Sequence, residues 1–108
     1  MTNIIFKKKD ENLISFKIDG HSGFDEYNKD IVCSAISAVS QTTLIGILEV
    51  LKISMDYCIE DGFLSLSLEE SPVEDIEKCQ VLLQAMLLGL KSMELSYGDY
   101  INVKVEEV

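Results

Sequence analysis

Gly20-His21-Ser22-Gly23-Phe24-Asp25-Glu26-Tyr27-Asn28-Lys29-Asp30-Ile31-Val32-Cys33 joins two different hydrophobic patterns. Before it, Ile4, Phe6, Ile14, Phe16 and Ile18 recur at even positions, the period of two that one face of a strand requires. After it, Val32, Ile36, Val39, Thr43, Ile47 and Val50 recur at helical spacing. The stretch is therefore where a strand hairpin hands over to a helix, and it sets a ββα opening.

The same stretch holds the chain's one histidine and, at its end, a cysteine. Asp30 is a good N-cap, which predicts a helix from about Ile31 to Leu51 with Cys33 in its first turn. There the unpaired N–H groups and the macrodipole favour an anion, and a thiol is nucleophilic only as thiolate. His21 sits between glycines 20 and 23, in a loop able to fold back over the helix start as base and then acid. A second reading stands beside this one: a cysteine near an apolar helix start is often a small core residue, and a loop histidine an exposed polar one. From the residues alone both remain open.

Working outward, pairing 4 with 18, 6 with 16 and 8 with 14 centres the first turn on Glu11. It leaves Asp10-Glu11-Asn12 as a three-residue loop, with Asn12 in the left-handed conformation. Lys7, Lys8 and Lys9 read as charges that blunt a sheet edge. The helix carries more apolar surface than one sheet can cover. It is thus either the central, buried element or the contact of a two-fold dimer, with Ser34, Ser37 and Ser40 allowing close approach. Asp61-Gly62 is a strong hairpin turn that pairs Ile59 with Leu64, Tyr57 with Leu66 and Met55 with Leu68, leaving Cys58 on the polar face. Ser71-Pro72-Val73-Glu74 is a capping box opening a second helix, on whose apolar stripe Cys79 reads as core. Ile101, Val103 and Val105 alternate as a last strand. The order is ββαββαβ, an α+β fold of two helices on a mostly antiparallel five-stranded sheet, one domain over residues 1–108.

Nineteen acidic residues against nine lysines and no arginine give a charge of −10, which argues against binding nucleic acid and for a basic polypeptide as partner. Acidity that merely keeps the chain in solution is the plainer reading. Three cysteines and no signal-like start predict reduced thiols in the cytoplasm. The uncharged run from Ile31 to Leu48, broken by serines and threonines, predicts a buried helix rather than a membrane span. One histidine and scattered cysteines predict no metal and no cofactor.

Gly20-His21-Ser22-Gly23-Phe24 followed by Asp30-Ile31-Val32-Cys33-Ser34-Ala35-Ile36-Ser37 resembles the ribosomal-processing cysteine protease family called Prp, or YsxB-like, along essentially the whole chain. The resemblance implies a cytoplasmic bacterial endopeptidase, a homodimer, that removes the N-terminal extension of the twenty-seventh large-subunit ribosomal protein. It implies His21 and Cys33 as the catalytic dyad and Asp30 or Ser37 as a third, orienting group. The loop residues Gly20, Ser22, Gly23, Phe24 and Tyr27 then lie toward substrate. Asn28 stands where the family is expected to carry glycine, and Asp25 where a small residue is usual. The rival functions are a non-catalytic acidic module docking on a basic ribosomal protein, with Cys33 as core, and a redox sensor, which needs a resolving thiol near Cys33.

Overall fold

The computed structural model describes residues 1–20 and 31–108 in full and residues 27–30 as backbone. Five strands, β1 (Thr2–Lys9), β2 (Asn12–Asp19), β3 (Asp56–Glu60), β4 (Phe63–Ser67) and β5 (Ile101–Glu107), form one sheet in the order β3-β4-β2-β1-β5. Only β5 against β1 is parallel. The helices are α1 (Tyr27–Ile45), which runs on into a π-turn at Gly46–Val50, α2 (Val73–Lys78) and α3 (Gln80–Tyr97). The ββαββαβ order and the α+β class are as expected. The second expected helix is two, broken at Cys79, whose backbone (φ −84°, ψ −9°) serves as the C-cap of α2 and the N-cap of α3.

The even-numbered face of β1 and β2 builds the core: Ile4 opposes Ile18, and Phe6 opposes Phe16 with ring centroids 5.7 Å apart. Beyond that the expected register fails. Lys7 pairs with Ser15 but Lys8 with Leu13, so Ile14 is an extra, bulged residue and the turn closes on Asp10 and Glu11 alone, at φ 49° and 72°. A two-residue turn with both φ values positive has the twist that hairpin strands want. The bulge also buries the adjacent Leu13 and Ile14 together, which simple alternation cannot do. Its backbone is satisfied from α3, where Gln80 accepts the Leu13 N–H (2.7 Å) and donates to the Leu13 carbonyl (2.8 Å). The lysine run blunts no edge, since β5 lies against β1.

The second hairpin has the expected register, Ile59 to Leu64 and Tyr57 to Leu66, with Gly62 at φ 74° in the turn. The Met55–Leu68 pair is not made: the Leu68 N–H donates to the Ile14 carbonyl at the β2 bulge (2.7 Å) instead. Because β3 is the edge strand, Tyr57 and Ile59 stay about half exposed while Leu64 and Leu66 are buried.

The helix α1 begins four residues before the expected start, so Asp30 lies inside it rather than at its N-cap. Nothing in Tyr27-Asn28-Lys29 breaks a helix, and an acidic residue in the first turn complements the macrodipole. One side of α1 (Val32, Ile36, Leu44, Ile47) enters the core, while Ile31, Ala38, Ile45 and Val50 face outward. The 31–50 run has the length and composition of a membrane span, yet it is a one-sided helix here, with 33% of its apolar window buried. Gly46 allows α1 to approach α3, since a Cβ there would lie 2.9 Å from Leu82 Cδ1. The expected capping box is not formed: Pro72, extended at ψ 151°, is the N-cap of α2, with no side-chain bond.

Candidate active site

Three elements converge at the end of the sheet where β2 finishes. The strand β4 runs antiparallel to β2 and pairs Phe63 with Asp19, which brings the Asp61-Gly62 turn beside Gly20, whose N–H donates to the Gly62 carbonyl at 3.1 Å. Thr2 opens β1 next to them, and α1 closes the far side. The result is a pocket of about 190 Å³. Ile18, Ile36, Ile59, Phe63 and Leu64 give it apolar walls, Glu60 and Asp61 an acidic side, and Cys33 and Ser37 its polar helix face.

Cys33 is half-buried, with Sγ 3.9 Å from Thr2 Oγ1. One helical turn on, Ser37 accepts a hydrogen bond at Oγ from Gln41 Nε2 (2.8 Å). A turn further, buried Ser40 donates to the Ile36 carbonyl (2.7 Å). Gly20, Cys33 and Ser37 thus line one pocket. His21, Ser22, Gly23 and Phe24 lie outside the described residues, and Tyr27 and Asp30 are described only as helical backbone.

The earlier helix start changes the chemistry available. Cys33 is the seventh helical residue, in the second turn, where backbone N–H groups are already used by the helix ladder and the macrodipole has largely faded. The expectation that helix-start N–H groups activate Cys33 and hold an oxyanion beside it does not survive.

The other thiols are placed differently. Cys79 is fully buried, and desolvation, reinforced by nearby Asp75, pushes its pKa up. Cys58 is half-buried on the sheet face away from the helices, opposite Ser65, so neither thiol shares the Cys33 pocket as a resolving partner.

Sequence reasoning missed Thr2, Ile59, Phe63 and Gln41. Ile59 and Phe63 follow from strand order, since pairing β4 with β2 sets the second hairpin's tip against Gly20, whereas Thr2 follows already from the β1–β2 register, which sets it opposite Gly20. The pattern of alternation announces strands but not which strand neighbours which.

The sequence signature of the cysteine protease Prp family matches residues 1–102. The chain is 28% identical over 102 residues to the ribosomal processing cysteine protease Prp of Bacillus subtilis (strain 168), covering 92% of this chain and 91% of that protein. It is 28% identical over 86 residues to the Prp of Staphylococcus aureus (strain Mu50), covering 80% of each. Among solved structures, the essential ribosomal processing protease Prp from S. aureus in complex with a substrate peptide superimposes with a TM-score of 0.85 at 26% identity, covering 98% of this chain and 100% of that one. A Streptococcus mutans protein superimposes with a TM-score of 0.83 at 29% identity, over 100% of this chain and 96% of that one. The chain therefore belongs to the cysteine protease Prp family and is a cysteine protease.

Proposed function

We propose that this protease removes the N-terminal extension of the twenty-seventh large-subunit ribosomal protein, in the cytoplasm, with Cys33 as nucleophile and His21 as its acid–base partner. The observation that carries the reading is that Cys33 and Gly20, the residue directly before His21, line one pocket. Support also comes from the S. aureus relative, which was solved with a substrate peptide and with a covalently linked product peptide.

In this reading His21 takes the thiol proton as Cys33 Sγ attacks the scissile carbonyl carbon. The C–N bond breaks, and His21 returns the proton to the departing amine. A water molecule, deprotonated by His21, then cleaves the thioester and restores the thiol. Ser37 and Asp30 are the candidates for orienting groups, and Gly20, Ser22, Gly23, Phe24 and Tyr27 for contacts to substrate. The apolar walls suit an apolar or aromatic side chain before the cut, and the net charge of −10 attracts a basic ribosomal protein. The outward stripe of Ile31, Ala38 and Ile45 on α1 supports a homodimer built through that helix. A purely monomeric species in sedimentation at micromolar concentration overturns that part.

The test is cleavage of the extended ribosomal protein followed by mass spectrometry. Cys33→Ala and His21→Ala are each expected to lose activity about 1,000-fold or more, the usual scale for removing a nucleophile or its base. Wild-type cleavage by either variant overturns the assignment.

A further inference from the structure

Thr2 is a buried polar residue at the mouth of the pocket, 6% exposed, and the reaction described above gives it no task. Its N–H donates to the Tyr100 carbonyl (2.8 Å), which pins the strand start. Its hydroxyl is aimed between Gly20 and Cys33: a Cβ on Gly20 would sit 2.9 Å from Oγ1 and 2.5 Å from the Thr2 Cα, so the absence of a side chain at position 20 is what lets it stand there. No described buried side-chain oxygen or nitrogen lacks a partner, and the partner of this hydroxyl among the described residues is the Cys33 sulfur at 3.9 Å. A neutral thiol can donate or accept in such a contact, but a thiolate can only accept. Ionisation therefore turns the pair into O–H···S⁻, the charge-assisted and stronger form, and apo contacts of this kind shorten when the charge develops.

We infer that Thr2 is a positioning residue for the Cys33 nucleophile, its hydroxyl donating to the thiolate and holding the sulfur at the pocket mouth. The inference rests on the reading of Cys33 as nucleophile. It also answers the loss of the helix-mouth N–H groups, since a donor from β1 takes over part of their work. The charged groups that line the same pocket among the described residues, Glu60 and Asp61 at the β3–β4 turn, are acids that oppose a thiolate. A donor at Thr2 counters the acids without adding charge.

The experiment follows iodoacetamide labelling of Cys33 in the full chain at neutral pH, together with kcat and KM on the extended substrate. Thr2→Val, nearly isosteric and compatible with a strand, is expected to slow labelling about tenfold. The value of kcat should fall similarly with KM within about twofold, and Thr2→Ser should restore both. Thr2→Ala removes the hydroxyl with less bulk, should Val fail to fold. A wild-type labelling rate and kcat in the folded hydroxyl-less variants overturns the inference, as does a Ser variant as impaired as Val, which would make the role one of packing. Undiminished cleavage by Cys33→Ala would instead remove the reading beneath it.

Discussion

Cys33 and Cys79 are both thiols in apolar helical stretches of the sequence, Cys79 on an apolar stripe and Cys33 beside one, yet they occupy opposite kinds of place. Cys33 is half-buried where α1 meets an open pocket, with a hydroxyl against its sulfur and no turn of free N–H groups beneath it. Cys79 is 0% exposed at the break between α2 and α3, its pKa raised by burial first and by Asp75 second. A stripe of apolar residues tells which side of a helix turns inward. Whether the interior there is filled or hollow depends on the strand opposite, and strand order decides reactivity.

The largest expected effect follows directly. Alkylation of the folded chain, read residue by residue by mass spectrometry, should label Cys33 about 1,000-fold faster than Cys79. Reaching Cys79 requires local opening that costs several kcal/mol, and each 1.4 kcal/mol is a factor of ten. Equal rates would break the comparison at its root.

A second pair of changes separates function from stability. Gly20→Ala forces a Cβ to within 2.5 Å of the Thr2 backbone, where nothing flexible can yield, so the pocket mouth must shift. We expect kcat/KM to fall at least about tenfold, since small misplacements at a reacting centre are costly. Gln80→Ala, next to Cys79, strips both partners from Leu13 in the β2 bulge and should cost about 1–3 kcal/mol in urea unfolding with kcat/KM nearly unchanged. If Gly20→Ala keeps full activity, or Gln80→Ala abolishes it in a folded protein, the division between the two regions is wrong.

How much of this was legible in the sequence divides along physical lines. The hairpin at Asp61-Gly62 reads in the correct register because a glycine at φ 74° leaves one good turn. The first hairpin misleads because Asp10 and Glu11 carry positive φ values that their side chains do not advertise, and because a bulge at Ile14 resets the count. Its bulge is tied to a long-range partner, Gln80 of α3, invisible to local pattern. The capping preference of Asp30 predicts a helix from Ile31, but such a preference does not forbid helix on its N-terminal side. For the site, Cys33 is legible from its place near a helix start, while Ser37 enters only as what the resemblance implies. Thr2 is implicit in the β1–β2 register, but Ile59 and Phe63 are not legible, since they enter through pairing of β4 with β2.

The smallest effect sharpens the comparison through pH. Cys79→Ala removes a buried sulfur from the core and should destabilise by about 1–2 kcal/mol at neutral pH while leaving cleavage intact, the lower end of core truncations. Because the folded thiol has a pKa raised above the ordinary thiol value of about 8.5, its contribution is fully present below that value. As pH rises past it, the unfolded chain releases the proton first, and wild-type stability is progressively lost until the folded thiol also ionises, at up to about 1.4 kcal/mol per pH unit. The alanine variant has no such proton, so its deficit relative to wild type should shrink as the pH rises past about 8.5. Urea midpoints of the two proteins measured from pH 7 upward decide it: a gap that stays constant, or widens, means that Cys79 is not the sealed thiol that makes Cys33 exceptional.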